Sequence, residues 1–300
     1  MSSNSDPSQK EAPTTGWAVF PYRDFTLYVF ARFFGTLGFQ MMGTAVGWQV
    51  YAITGDPLDL GFVGLVQFIP ILIFGIIGGQ TADRYERRNI IAICLTLSFA
   101  CTLGLIYLST KEITAIWPIL AILALFSVGR AFQAPASQAL MPNLVPFNAL
   151  PSAVGWNSSL WQIGTIGGPA VGGLLLIFGT TLTYGVTAVL LGLSMALVLM
   201  LKRRPIVNKS KQKVNWQELT LGLSYVWGNK PVLGAISLDL VAVLLGGVTA
   251  LLPIFATDIL GVGSTGYGWL RAAPALGAVL MALLIAQKPL RRRMGQAMFI

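Results

Sequence analysis

The sequence predicts an all-α polytopic membrane protein, and three observations carry that expectation. Hydrophobic residues make up 55% of the 300-residue chain, and its mean hydropathy is +0.71. Charged residues are only 10%, less than half of the roughly 25% usual in a soluble domain. A water-soluble fold of this size has too little interior to hide so much apolar side chain, and a bilayer supplies the missing apolar solvent. Finally, the charges fall in short clusters between long apolar runs. The foremost cluster is 79–88, with Gly79, Asp83, Arg84, Glu86, Arg87 and Arg88. The runs are too long and unbroken for the alternating strands of a β-barrel.

Taken in order, residues 1–23 are rich in Ser, Pro, Thr and Gln at their start and read as a disordered tail. The tail lacks a basic segment followed by a short apolar core and a small-residue cleavage site, so no cleaved signal peptide is expected. Eight runs then reach the length of about 20 residues that a helix needs to cross a bilayer. They are 24–53, 58–78, 89–109, 113–140, 149–178, 182–201, 231–260 and 266–286. Arg84, Arg87 and Arg88 follow the second run, and Lys202, Arg203, Arg204, Lys209, Lys211 and Lys213 follow the sixth. Lys288, Arg291, Arg292 and Arg293 follow the eighth, whereas the alternate loops hold only Lys111. The positive-inside rule therefore places the tail, with Lys10 and Arg23, in the cytoplasm. The same topology accounts for the net charge of +9 without a nucleic-acid partner.

The chain also repeats. The first run begins near 24 and the seventh near 229, and the charged loop at 83–88 recurs at 288–293, at the same offset. This divides the chain into a tail (1–23), a six-helix bundle (24–201), a basic linker (202–228) and the start of a second bundle (229–300). The linker holds Trp216, Leu219, Leu223 and Trp227 at helical spacing, which predicts a short amphipathic surface helix. A second copy of the first unit extends past Ile300, so the chain reads as C-terminally truncated.

Several residue classes are informative by what they exclude. There is no histidine, the commonest metal ligand and general base. Cys94 and Cys101 lie seven residues apart, about 10 Å along a helix, beyond disulfide reach. Gly261, Gly263 and Gly266 fit a dinucleotide fingerprint, but they follow a membrane span rather than a strand and read as a turn. No metal, cofactor or enzymatic activity is expected.

Ionisable residues inside the spans are the functional candidates, since an unpaired charge there costs roughly 2.5–3.5 kcal/mol or more. Arg32, Thr36, Gln40, Gly43 and Gly47 share one face of the first span, and Ser127, Arg130, Gln133 and Ser137 share one face of the fourth. With Asn157 and Gln162 of the fifth span, they are expected to line an aqueous cavity. For Arg130, a role in substrate or proton handling stands beside a structural ion pair or interfacial snorkelling. Arg32 carries the same two readings. Asp239 is the candidate for a carboxylate that takes up and releases a proton, with an ion pair to an arginine as the alternative.

Paired six-helix repeats, the charged loop at 79–88, the flanking Gly47, Trp48, Gln49, Gly55, Asp56, Pro57, Gln67 and Pro70, and a glycine-rich fifth span together resemble the major facilitator superfamily. Within it they resemble the enterobactin-exporter-like branch, also called transmembrane secretion effectors. The resemblance implies a major facilitator fold, here a six-helix N-terminal bundle plus the first two helices of an incomplete C-terminal one. It implies that Gly79, Asp83, Arg84, Arg87 and Arg88 form motif A, a conformational latch; the alternative is a solvated topology anchor. It implies that Gly164, Gly168, Pro169, Gly172 and Gly173 form the antiporter motif C, the alternative being ordinary close helix packing. A matching small face is expected on the eighth span at Gly266, Ala273 and Gly277. The implied function is proton-coupled efflux of a small amphiphilic or anionic compound, siderophore- or drug-like, by alternating access. The setting is a monomer in the bacterial inner membrane, with protons, the small-molecule substrate and lipid as its partners. The contrasting expectation is an inactive truncated product or a non-transporting membrane scaffold.

Overall fold

The structure is a computed structural model and describes residues 16–111, 115–202, 227–229, 232–234, 237 and 247–287. Six long helices follow a short 3-10 turn at Gly16–Val19: α1 (Arg23–Thr54), α2 (Pro57–Arg84), α3 (Arg87–Thr110), α4 (Ile116–Leu140), α5 (Leu150–Leu175) and α6 (Thr180–Leu199). After the linker, a helical segment changes from 3-10 at Gly247–Leu251 through one α-turn to a π-helical turn at Phe255–Ile259. A further helix, here α7, spans Gly263–Gln287.

Local chemistry sets the boundaries. α1 stops where Gly55 turns left-handed (φ 64°) and its N–H returns to the Tyr51 carbonyl at 2.8 Å. Asp56 then caps α2 by accepting from the Leu58 N–H at 2.9 Å, with Pro57 in the first helical position where no donor is needed. Thr54 to Pro57 is thus a complete stop-and-start signal. Gly179, at φ 106°, makes the corresponding turn into α6.

The helices pack as α2 on α4, α1 on α5 and α6, α3 on α4 and α6, and α7 on α5. Phe25, Met41 and Met42 of α1, Leu95 and Leu105 of α3, Phe126 of α4 and Leu191 of α6 are fully buried between them. Apart from Ser127, whose Oγ has no partner among the described residues, the buried hydroxyls are satisfied. Ser98, Thr102 and Thr187 each donate to the carbonyl four residues back, and Ser194 reaches across to the Ala31 carbonyl of α1 at 2.7 Å.

α2 shows the medium. Leu58, Phe62, Leu65, Phe68, Leu72 and Ile76 are all exposed, and Leu72 is 64% so. In water such a surface is an aggregation site; in lipid it is solvated. Among the described residues, five helical spans are long and apolar enough to cross a membrane, those built on α2 to α6. α1 is not one of them, although its 32 residues reach about 48 Å. Arg32, Thr36, Gln40 and its glycines dilute its apolar character. Residues 231, 235–236 and 238–246 of the expected seventh span lie outside the described residues, as do the linker helix apart from Trp227 and the basic cluster after residue 287.

Candidate functional site

A cavity of about 430 Å³ lies among α1, α3, α4, α5 and α6. It occupies the half of the bundle nearer the loops that carry Arg84, Arg87 and Arg88, because it is lined by the early part of α1 and the late part of α4. Tyr28, Arg32, Thr36 and Gln40 line it from α1, one turn apart, and Arg130, Gln133 and Ser137 line it from α4. Six of the sequence candidates, Arg32, Thr36, Gln40, Arg130, Gln133 and Ser137, therefore meet at one cavity. Gln162 does not; it is exposed on α5. Asp239 lies outside the described residues.

The two arginines differ in what holds them. Arg32 donates from Nη1 to Asn157 Oδ1 of α5 at 2.9 Å and, at 3.5 Å, to the Tyr28 hydroxyl. That hydroxyl in turn donates to the Ser137 carbonyl of α4 at 2.7 Å. Arg32 thus sits in a network joining α1, α4 and α5, and Asn157, buried, is its partner rather than a free lining group. Arg130 has no hydrogen-bond or ion-pair partner among the described residues. Its guanidinium carbon stands 5.7 Å from the Phe39 ring centroid, a cation–π contact that leaves its N–H donors unspent. One turn on, Gln133 Oε1 is buried without a hydrogen-bond partner among the described residues. Gln40 donates to the Thr165 carbonyl of α5 at 3.3 Å.

The glycines of α5 explain how the cavity wall is assembled. A Cβ on Gly164 would stand 3.2 Å from Thr36 Cβ, and one on Gly172 would stand 3.0 Å from Met41 Cα. On Gly168 it would fall 2.4 Å from Gln40 Cβ, closer than atoms approach. These three therefore seat α5 on the cavity-lining face of α1, with Pro169 inside the same helix. Gly173 faces another way: a Cβ there would stand 2.8 Å from Gly268 Cα of α7. The expected partner face at Gly266, Ala273 and Gly277 is thereby corrected. A Cβ on Gly266 would meet only Val262 in the preceding turn, Gly277 has open space beside it, Ala273 is exposed, and Gly268 makes the approach.

In the charged loop, Asp83 and Arg84 are exposed and make no hydrogen bond or ion pair among the described residues. Arg87 donates to Ala82 at 3.3 Å and to Ala139 at 2.9 Å, carbonyls in the last turns of α2 and α4. Arg88 donates to Val198 at 3.2 Å and to Leu199, the last two carbonyls of α6. All four acceptors are carbonyls in the last turns of their helices, at the negative end of each dipole. The two arginines hold three helix ends together. Gly79 has open space beside it, whereas its neighbour Gly78 packs on α4, where a Cβ would fall 2.4 Å from the Ala131 carbonyl oxygen.

Two ionisable residues escaped the sequence reading. Arg271 of α7 donates from Nε to the Tyr267 hydroxyl at 3.0 Å, and Asp258 accepts a hydrogen bond from the Tyr51 hydroxyl of α1. The signal for Arg271 was present: an arginine inside an apolar run.

Comparison with known proteins agrees with this architecture. Residues 14–300 match the model of the family described as transmembrane secretion effector. The chain is 26% identical to the enterobactin exporter EntS of Shigella dysenteriae serotype 1 over 90% of its own length and 65% of that protein's. It is 34% identical to macrolide efflux protein A of Streptococcus pyogenes over 41% of its length and 30% of that protein's. The chain thus spans from under a third to about two thirds of these relatives. Its backbone resembles a bacterial homologue of the human lysosomal transporter Spinster, with a TM-score of 0.58 at 19% identity over 91% of this chain and 64% of that one. It resembles the nucleoside transporter NupG equally, with a TM-score of 0.58 at 16% identity over 87% and 69%. The chain is a multi-pass membrane protein of the major facilitator fold and belongs to the transmembrane secretion effector family.

Proposed function

We propose that the protein is a secondary active exporter of the bacterial inner membrane that moves a small amphiphilic or anionic compound outward against an inward flow of protons. The observation that carries this reading is the cavity, with the Arg130 guanidinium over Phe39 and the Gln133 oxygen one turn on, both without a hydrogen-bond partner among the described residues. A guanidinium with free donors in a partly apolar cleft recognises an anionic group strongly, and the neighbouring acceptor suits a hydroxyl or amide donor on the same compound. Arg32, already engaged, shapes the wall. The glycines Gly164, Gly168 and Gly172 set α5 against α1, and Asp83 and Arg84, without a partner among the described residues, are the motif A pair proposed for a conformational contact. Asp239 is the proposed proton carrier. The relatives named as exporter and efflux protein support the outward direction, and the basic loops support a cytoplasmic N-terminus. Alternating exposure then follows from rocking of one bundle against the other, with the transporter working as a monomer.

Transport into inside-out vesicles under an imposed proton gradient tests the proposal. Uptake of an anionic amphiphile should be abolished by a protonophore. Replacing Arg130 by Gln should lower it roughly 10- to 100-fold, the loss of one charge-assisted hydrogen-bonded contact, while a cationic amphiphile is little affected. Equal loss for both charge classes removes the anion assignment. A sodium requirement removes proton coupling. Absence of any flux from well-folded protein favours the non-transporting scaffold.

A further inference from the structure

The turn that leads into α1 is folded onto the bundle and leaves an aromatic surface outward. Val19 is fully buried and belongs to the apolar core. The Phe20 and Tyr22 N–H groups donate to the Trp17 and Val19 carbonyls at 3.2 Å, and the Thr26 hydroxyl of α1 donates to the Phe20 carbonyl at 2.9 Å. The rings of this turn gather on Trp156 of α5. Trp17 lies 4.8 Å and Phe20 4.9 Å from it, centroid to centroid, and they are 5.6 Å from each other. Trp17 nonetheless stays 66% exposed. Tyr22 and Arg23 are exposed beside it, and Arg23 makes no hydrogen bond or ion pair among the described residues. The next residue, Asp24, is buried. Helical spacing shows which way the surface faces. Trp156, Leu160 and Ile163 share one apolar face of α5, with Ile163 exposed, whereas the cavity lies around the helix at Trp161 and Thr165. On α1, the exposed Phe30 likewise stands on the side away from Arg32. Exposed aromatics also mark the level: Tyr85 and Phe147 at the end with Arg84, and Tyr107, Trp117 and Phe178 at the end with Lys111.

We infer that residues 17–23, together with Trp156, form a docking site for an anionic phospholipid of the surrounding bilayer, on the outer side of the wall whose inner side carries Arg32 and Asn157. Each part of the site suits one part of that molecule. The Arg23 guanidinium, with its donors unspent, meets the headgroup phosphate. Trp17 and Tyr22 pair an apolar ring with a polar N–H or O–H, the combination that settles at the level of the headgroups. Leu160 and Ile163 carry the apolar face inward, where an acyl chain lies against it. That continuity selects lipid over a water-soluble partner, which has no access to a face running below the headgroups. A zwitterionic headgroup also offers a phosphate, but its ammonium offsets the attraction of the arginine, so a net negative headgroup is preferred. The site is separate from the cavity and does not depend on transport.

Fluorescence quenching in lipid vesicles tests the site. The full chain keeps Trp17, and its other tryptophans are replaced by Phe. In phosphatidylcholine vesicles, Trp17 should lose roughly half or more of its emission when the lipid is brominated in the upper acyl chain, and little to aqueous iodide. Brominated phosphatidylglycerol, as a minor component among unbrominated phosphatidylcholine, should associate about fivefold more strongly than brominated phosphatidylcholine at the same fraction, the effect of one basic residue at an anionic surface. Arg23→Gln should remove most of that preference, and Arg84→Gln, in another loop, should leave it in place. Quenching by iodide alone puts the turn in water, and quenching by neither agent puts it against protein; each result overturns the site. So does an equal response to the two lipids, or an equal loss of preference from both arginine variants, which reports only diffuse surface charge. Where the tryptophan-substituted protein does not fold, the chain with its tryptophans intact carries the test through its unfolding temperature in detergent. Added phosphatidylglycerol should raise that temperature more than phosphatidylcholine does, and Arg23→Gln and Trp17→Ala should each shrink the difference. No difference between the lipids, or a difference that survives both substitutions, overturns the site.

Discussion

Tyr28, Arg32, Thr36 and Gln40 share a ridge of α1 with Thr44 and Trp48, four residues apart along one helix, yet the two stretches meet different surroundings. The first stretch faces a cavity, and its polar groups are held by α4 and α5 within the same bundle. The second faces the segment after the linker and is bonded across to it through Tyr267, with Tyr51 reaching Asp258 one turn further on. The sequence periodicity is the same in both. What differs is the partner: side chains at the first end leave room, and glycine and aromatic contacts at the second leave none. A helix face is therefore a position, and its chemistry is decided by what the fold brings against it.

The contrast breaks most completely at Gly168. Its missing side chain lets α5 lie on Gln40, at the base of the cavity stretch, with a Cβ position 2.4 Å from Gln40 Cβ. Gly168→Leu forces the two helices apart, and overpacking of this kind costs typically about 1–3 kcal/mol or more. We expect the largest effect here: little folded protein in detergent, measured by size-exclusion recovery and thermal unfolding. Gly277→Leu, with open space beside it, should leave recovery close to that of the unmodified protein. Equal tolerance at both positions refutes the close-packing account.

The second prediction separates the two arginines. Arg32→Gln removes the link to Asn157 and leaves a buried amide short of a partner, which costs about 1–3 kcal/mol. It should lower thermal stability and disturb transport of every compound. Arg130→Gln removes a group with no hydrogen-bonded partner among the described residues, so stability should change by less than about 0.5 kcal/mol while recognition of anions falls. Stability loss at Arg130 equal to that at Arg32 would show that both are structural.

These distinctions mark how far the sequence can be read. Apolar run length and loop charge gave the spans, because crossing a bilayer is a local property of a stretch of chain. The Thr54 to Pro57 turn was legible for the same reason. The cavity was legible as two polar stripes, since four-residue spacing fixes which side chains share a face. The partners were not. Asn157 lies 125 residues from Arg32, and nothing local says that, among the described residues, one arginine has a partner and the other none. The pairing of Gly173 with Gly268, rather than with Gly266, Ala273 or Gly277, depends on how α7 is rotated and shifted against α5. Spacing identifies a small face but not its register. Gly79 and Gly78 make the same point, one residue apart.

The third prediction concerns the end where the cavity lies. Arg88 donates to the last carbonyls of α6, and Arg87 does the same for α2 and α4. Arg88→Gln should cost about 1–2 kcal/mol, between a surface and a partly buried charge–dipole contact. Arg84→Gln, at an exposed position without a partner among the described residues, should cost less than about 0.5 kcal/mol. Thermal unfolding in detergent compares them directly, and equal losses would mean that the loop charges act only through the membrane surface.

The smallest effect is expected at the opposite end, where α1 hands over to α2. Asp56→Ala removes the side-chain acceptor for the Leu58 N–H and should cost about 1 kcal/mol, as N-caps usually do. Asp56→Asn keeps an acceptor and should recover most of that loss. The position also tests the division along α1. The Gly55 turn fixes where the last turn of α1 ends and therefore where Tyr51 stands relative to Asp258. Thermal unfolding in detergent compares the two variants, and equal losses would mean that the Asp56 side chain does not act as an acceptor for the cap. The stretch facing the cavity, held by Asn157 and Ser137 within its own bundle, should stay as stable as before in either case.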